Sequence, residues 1–202
     1  ALLRSAIEDR MAHGIKPKAI VAVHLYGVPY KVDQVHAIAE EFDIPVIEDS
    51  AEALGSTYRG INCGSFGDMG ILSFNGNKII TTSGGGALLC KSLENKNKAV
   101  FLATQARDEA PHYQHSQIGH NYRMSNVLAG IGRGQMEVLQ DRVQARRRNY
   151  AMYRENLSGL SGISFLPEPE HCYSNRWLTC VLTPSFNIRE KIRMALENEN
   201  IE

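Results

Sequence analysis

Residues 19–47 read AIVAVHLYGVPYKVDQVHAIAEEFDIPVI, and the alternation of patterns within them decides the fold. Ala19-Ile20-Val21-Ala22-Val23 is short, β-branched and continuously apolar, the pattern of a strand buried on both faces. Gly27-Val28-Pro29-Tyr30 breaks it. Asp33 opens a helix whose apolar residues Val32, Val35, Ile38, Ala39 and Phe42 form one stripe. Asp43 and Pro45 end that helix, and Pro45-Val46-Ile47 is the next buried strand. Strand, helix and strand in about 30 residues make a βαβ unit, so the two strands should be parallel and the crossover right-handed.

Outward from this unit, 55–67 reads as a glycine-rich loop, 70–74 and 86–90 as two further strands, and 92–104 as a helix. Residues 108–123 are irregular and too long for an idle connector. Few breakers interrupt 126–157, which predicts one helix about 48 Å long. Pro167 and Pro169 mark a boundary, followed by a strand over 177–182 and a helix over 188–198. The fold class is α/β, a mostly parallel sheet between helices over 1–158, with the start of a smaller α+β domain over 159–202. Beginning at Ala1 inside a helical pattern, the chain reads as a piece of a longer protein.

Over 202 residues, 22 lysines and arginines balance 22 aspartates and glutamates, which argues against a general nucleic-acid or membrane-surface binder. Apolar stretches reach about 12 residues, short of the ~20 that cross a membrane. Cys63, Cys90, Cys172 and Cys180 form no C-x-x-C pair, consistent with reduced thiols in the cytoplasm. His112, His115 and His120 lie near Asp108 and Glu109, but their spacing matches no zinc motif, and no metal is expected. Arg142 and Arg146-Arg147-Arg148 share their helix with Glu137, Asp141 and Glu155, as a solvated face does.

Two segments can carry chemistry. Glu48-Asp49 ends the second buried strand, where open α/β sheets bind ligands. An acid there is costly to bury without a cation, although Asp49-Ser50-Ala51-Glu52 also reads as a helix cap. Residues 73–86 place Lys78 just past a strand, before Ile79 and Ile80 and three glycines. Withdrawal from water disfavours the charged amine and suits a lysine that forms a Schiff base; a solvated loop lysine is the other reading. Together, a strand-end aspartate, a serine-led loop and a lysine match pyridoxal phosphate. Its ring nitrogen needs a carboxylate, its aldehyde an amine, and its phosphate hydroxyls and amides.

The sequence also resembles the DegT/DnrJ/EryC1/StrS sugar aminotransferases, a branch of the fold-type I pyridoxal phosphate enzymes, over residues 19–182. The resemblance lies in His24-Leu25-Tyr26-Gly27, residues 48–55, Gly67-Asp68 with Ser73-Phe74, residues 75–86 and residues 119–126. Residues 103–107 and Ser174-Asn175-Arg176-Trp177 bring it nearest to members from exopolysaccharide and bacillosamine-type pathways. It implies that Lys78 is the catalytic, cofactor-bonded lysine. Asp49 would be the ring-nitrogen partner and Ser73 a phosphate ligand. Glu52 would stand near the 3-hydroxyl, where many relatives carry glutamine. Asn121 would reach the cofactor phosphate of a second subunit in a homodimer with shared active sites. The implied reaction moves an amino group from glutamate to a nucleotide-linked keto-sugar, a UDP-4-keto-6-deoxy-hexosamine being favoured, for polysaccharide or glycan biosynthesis. Dehydratases of the family carry histidine in place of the lysine, and a catalytically inactive regulatory domain is the remaining alternative. The family's N-terminal part, which supplies a ring-stacking residue and a phosphate-binding turn, has no counterpart in this sequence.

Overall fold

The computed structural model describes residues 1–201. In chain order the elements are α1 (Leu2–Ala12), β1 (Ile20–Val23), a 3-10 turn (Leu25–Gly27), α2 (Val32–Glu41), β2 (Val46–Asp49), β3 (Thr57–Tyr58), β4 (Ile61–Asn62), β5 (Met69–Ser73) and β6 (Gly86–Cys90). They continue with α3 (Leu93–Ala103), α4 (Asn126–Glu137), α5 (Leu139–Leu157), β7 (Ser164–Phe165), β8 (Cys172–Tyr173), β9 (Val181–Leu182) and α6 (Phe186–Asn198).

The expected βαβ unit forms. β1 and β2 are parallel with Val23 opposite Asp49, and β5 joins β2 in parallel with Asp49 opposite Ile71. β6 returns antiparallel, placing Gly86 against Ser73, so the sheet order is β1-β2-β5-β6. The α2 stripe works as its spacing demands. Ala39 joins Ile7, Ile20, Ala22, Ile44 and Val46 in one core, with Val35, Ile38 and Phe42 packed around it. Asp43 stops the helix in a left-handed conformation (φ 48°), its N–H reaching Glu40 O at 3.1 Å while Ile44 N–H reaches Ala39 O at 2.9 Å. This pairing closes a helix end on a residue that tolerates positive φ.

Three expectations change. β1 is buried on one face only: Ile20 and Ala22 are covered, whereas Val21 and Val23 are 60% and 44% exposed. The helix expected over 126–157 is two, because the backbone at Val138 (φ −106°, ψ 10°) leaves the helical region. The break lets α5 turn Leu139 and Val143 onto Ile79 and Ile80, while α4 has no fully buried residue. The strand expected over 177–182 shrinks to β9.

The loop read at 55–67 contains a hairpin. Arg59 (φ 49°) and Gly60 (φ 77°) are both left-handed, the geometry of a two-residue turn that matches strand twist. β3 also pairs with β8, so residues past the expected boundary at 158/159 return to the first part of the chain.

Candidate active site

Parallel register brings the carboxyl ends of β1, β2 and β5 to one edge of the sheet, so Asp49 and Ser73 end neighbouring strands there. Lys78 rises from the loop between β5 and β6 at the same edge. Phe74 N–H bonds Gly85 O at 3.0 Å and Thr82 N–H bonds Phe74 O at 2.9 Å, which closes the loop's base. Lys78 N–H bonds Asn75 O at 3.1 Å, forming a turn under the lysine. Ile79 and Ile80, 8% and 2% exposed, root the loop in the core with Leu139 and Val143. The apolar pair beside the lysine is therefore an anchor.

The Lys78 side chain is 13% exposed. Its amine lies 3.9 Å from Glu52 Oε1 and 4.4 Å from the centroid of the Trp177 ring. The carboxylate and the ring face both turn negative charge toward the amine. Glu52 Oε2 accepts the Tyr26 N–H at 2.6 Å, and Tyr26 holds a left-handed backbone (φ 56°) to give it. Asp49 is partly buried, and its Oδ1 accepts Ala51 N–H at 3.1 Å. No helix follows, so Asp49 caps a turn rather than a helix. Ser73 Oγ accepts Asn75 N–H at 3.4 Å.

Glu48 separates from Asp49 by pointing inward. It is fully buried, where His24 Nε2 donates to it at 2.8 Å, and Gly64, Phe66 and Gly67 donate backbone N–H groups. Burial alone pushes its carboxyl up; the bonds from His24, Gly67 and Gly64 outweigh this and hold it below the usual value. His24 Nδ1 accepts the Tyr30 N–H at 3.4 Å, so the ring proton sits on Nε2 and is given to Glu48. The buried acid thus meets one imidazole and three amides.

Asn121 is exposed and bridges Thr104. Among the described residues no hydrogen bond or ion pair joins it to Lys78, Asp49, Glu52 or Ser73. His115 Nδ1 bonds Gln105 O at 2.9 Å, His120 N–H bonds Leu102 O at 2.7 Å and His120 stacks on Tyr122 at 4.8 Å, so the histidine loop is tied back to the end of α3. Among the described residues no group of three or more histidines, cysteines, aspartates or glutamates is arranged to hold a metal ion. A concavity of about 970 Å³ forms an open trough beside α5 lined by Arg147, Tyr150, Glu168 and Arg176, and Lys78 does not line it.

Sequence reasoning singled out Lys78, Asp49, Glu52 and Ser73 and missed Trp177 as the neighbour of Lys78. The signal available was that Trp177 is the single tryptophan.

Residues 1–202 match the DegT/DnrJ/EryC1/StrS aminotransferase family. The chain is 49% identical over 200 residues to "Putative pyridoxal phosphate-dependent aminotransferase EpsN" of Bacillus subtilis, covering 99% of this chain and 52% of that protein. It is 35% identical over 198 residues to GDP-perosamine synthase of Escherichia coli O157:H7, covering 98% and 53%. Among solved structures, a DegT DnrJ EryC1 StrS aminotransferase from Brucella abortus superimposes with a TM-score of 0.88 at 26% identity, covering 98% of this chain and 52% of that one. The chain spans about half the length of the relatives it matches.

Proposed function

We propose, for a chain that belongs to the DegT/DnrJ/EryC1/StrS aminotransferase family, that it carries the cofactor-bonding half of a pyridoxal phosphate-dependent sugar-nucleotide aminotransferase. The observation that supports this most is the placing of Lys78 in a core-anchored loop at the strand edge that Asp49 and Ser73 share.

The donor set fits the cofactor. Lys78 offers an amine for the aldehyde. Asp49 spends Oδ1 on Ala51 and keeps Oδ2 for a ring N–H. Ser73 accepts one bond and retains its hydroxyl proton for a phosphate oxygen. Bound there, pyridoxal phosphate supplies a sink for the electron pair left when a proton is removed next to the amino group. Lys78 would hold the cofactor's aldehyde and, as a free amine, would take that proton from the substrate's α-carbon and later return one. Asp49 would keep the ring nitrogen protonated. Glu52, fixed by the Tyr26 amide, faces the lysine.

The donor in this reading is glutamate and the acceptor a ketone on a nucleotide-linked sugar, with a UDP-4-keto-6-deoxy-hexosamine the first to try and polysaccharide or glycan biosynthesis the setting. The working form is a homodimer in the cytoplasm. In support of a dimer, Ile118, Tyr122 and Val127 lie 87%, 78% and 73% exposed around Asn121 and the start of α4. The division at 158/159 belongs to the same proposal; the β7–β9 pair and α6 support it. Among the described residues no helix is long and apolar enough to cross a membrane.

The test is borohydride reduction of the cofactor-loaded protein followed by peptide mapping. The modified residue should be Lys78, and a label on another lysine overturns the assignment. An end-point assay of the full-length protein with glutamate and a panel of keto-sugar nucleotides then identifies the acceptor.

A further inference from the structure

Just beyond β8, Ser174, Asn175, Arg176 and Trp177 are 0%, 0%, 5% and 7% exposed, although three of the four are polar. Such a segment is stable only if its polar groups are matched. Asn175 is fully used. Its backbone N–H donates to Ser56 Oγ at 2.8 Å, and its side-chain amide donates to the carbonyls of Glu52 and Leu54, each at 2.9 Å. Its Oδ1 accepts Trp177 N–H at 2.9 Å. A Cβ on Gly27 would stand 1.9 Å from that oxygen, so only glycine lets the amide settle there. Arg176 holds a left-handed backbone (φ 52°) with its guanidinium 3.8 Å over the Tyr150 ring. These contacts deliver Trp177 to the lysine loop. Its indole N–H donates to Asn77 O at 2.8 Å, and its ring face lies 4.4 Å from the Lys78 amine, with Glu52 Oε1 at 3.9 Å from that amine.

We propose that Trp177 is a positioning residue for Lys78. Its indole face and the Glu52 carboxylate form a seat that holds the amine whenever it is not bonded to the cofactor, and the indole N–H fixes the loop beneath it. The inference rests on Lys78 being the cofactor lysine. A lysine amine on its four-carbon stem otherwise samples many rotamers. In the proposed reaction it is displaced and must return in each half of the cycle, so a seat at the strand edge keeps it within reach.

The seat is read by how often the amine leaves it. Seated, the amine is capped by the carboxylate and the indole, and an acylating reagent reaches it only after it departs. Cofactor-free full-length protein is treated with limiting acetic anhydride, and acetylation at Lys78 is measured against exposed Lys96. Tetrafluorotryptophan at position 177 keeps the shape and the N–H but drains negative charge from the ring face. It should raise the Lys78 to Lys96 ratio about tenfold. Trp177→Leu should raise it at least as far, and in loaded protein should lower kcat with KM unchanged. An unchanged ratio with the fluorinated residue overturns the seat, and that variant tests it even if Trp177→Leu fails to fold. Borohydride labelling of the wild type separates the two readings. A label away from Lys78 overturns the cofactor assignment and with it the purpose of the seat, while the acetylation ratio still reports where the amine lies.

Discussion

Lys78→Ala removes the one amine at the strand edge, so the variant should give no borohydride-labelled active-site peptide and no turnover. Asp49→Asn should still bind cofactor but lose several orders of magnitude in turnover, because an amide cannot hold the ring nitrogen protonated. Cofactor retention by gel filtration, measured beside the rate, separates that loss from simple unfolding. Near-normal turnover would leave Asp49 as the cap of its own turn. Glu48 has a different signature. Glu48→Gln keeps the shape but turns one acceptor oxygen into a donor among four N–H groups, and should cost about 3 kcal/mol. Its carboxyl is held below the ordinary 4.5 in the folded protein. The unfolded chain therefore takes up the proton first as pH falls. The stability that Glu48 contributes is complete above about 4.5 and fades as pH drops through the folded value. Melting temperatures between neutral and acidic pH should fall more steeply for the wild type than for Glu48→Gln.

At the scale of elements, the site depends on which loops share anchors. Gly27→Ala places a Cβ against the Asn175 oxygen at a left-handed φ of 81°, so it should destabilise the protein by about 2–3 kcal/mol. It should also loosen residues 75–80, which hydrogen exchange would show; protection equal to the wild type there would separate Asn175 from the lysine loop. The βαβ unit, β5, β6 and α3 were legible because apolar period and turn residues act locally; Asp49 and Ser73 end two of these strands, and Glu52 and Lys78 lie in the segments that follow them. The break at Val138 was not, because no local breaker marks it; it goes with the packing of Leu139 and Val143 on the distant pair Ile79 and Ile80. The hairpin at Arg59-Gly60 carried a turn signal, but its short strands are completed only by β8. Trp177 near Lys78 was hidden for the same reason: no pattern local to residue 177 points to residue 78.

For the whole molecule, the test of assembly is complementation. Asn121 lies on an exposed segment, and among the described residues no bond joins it to its own chain's Lys78. In the proposed isologous two-fold dimer each site would take Lys78 from one chain and Asn121 from the other. An Asn121→Ala chain and a Lys78→Ala chain, each poor alone, should recover activity when mixed, since one of the two sites is then whole. Failure despite proven subunit exchange would return Asn121 to its own chain or exclude it from any site. Distance along the chain has a further consequence. Asn77 and the Trp177 that bonds it are 100 residues apart in sequence. A ribosome adding about 5–20 residues per second exposes the lysine loop some 5–20 s before the indole that covers it is made. The newborn chain therefore carries an uncapped Lys78, and an aldehyde in the surrounding fluid meets that open amine before it meets the finished protein.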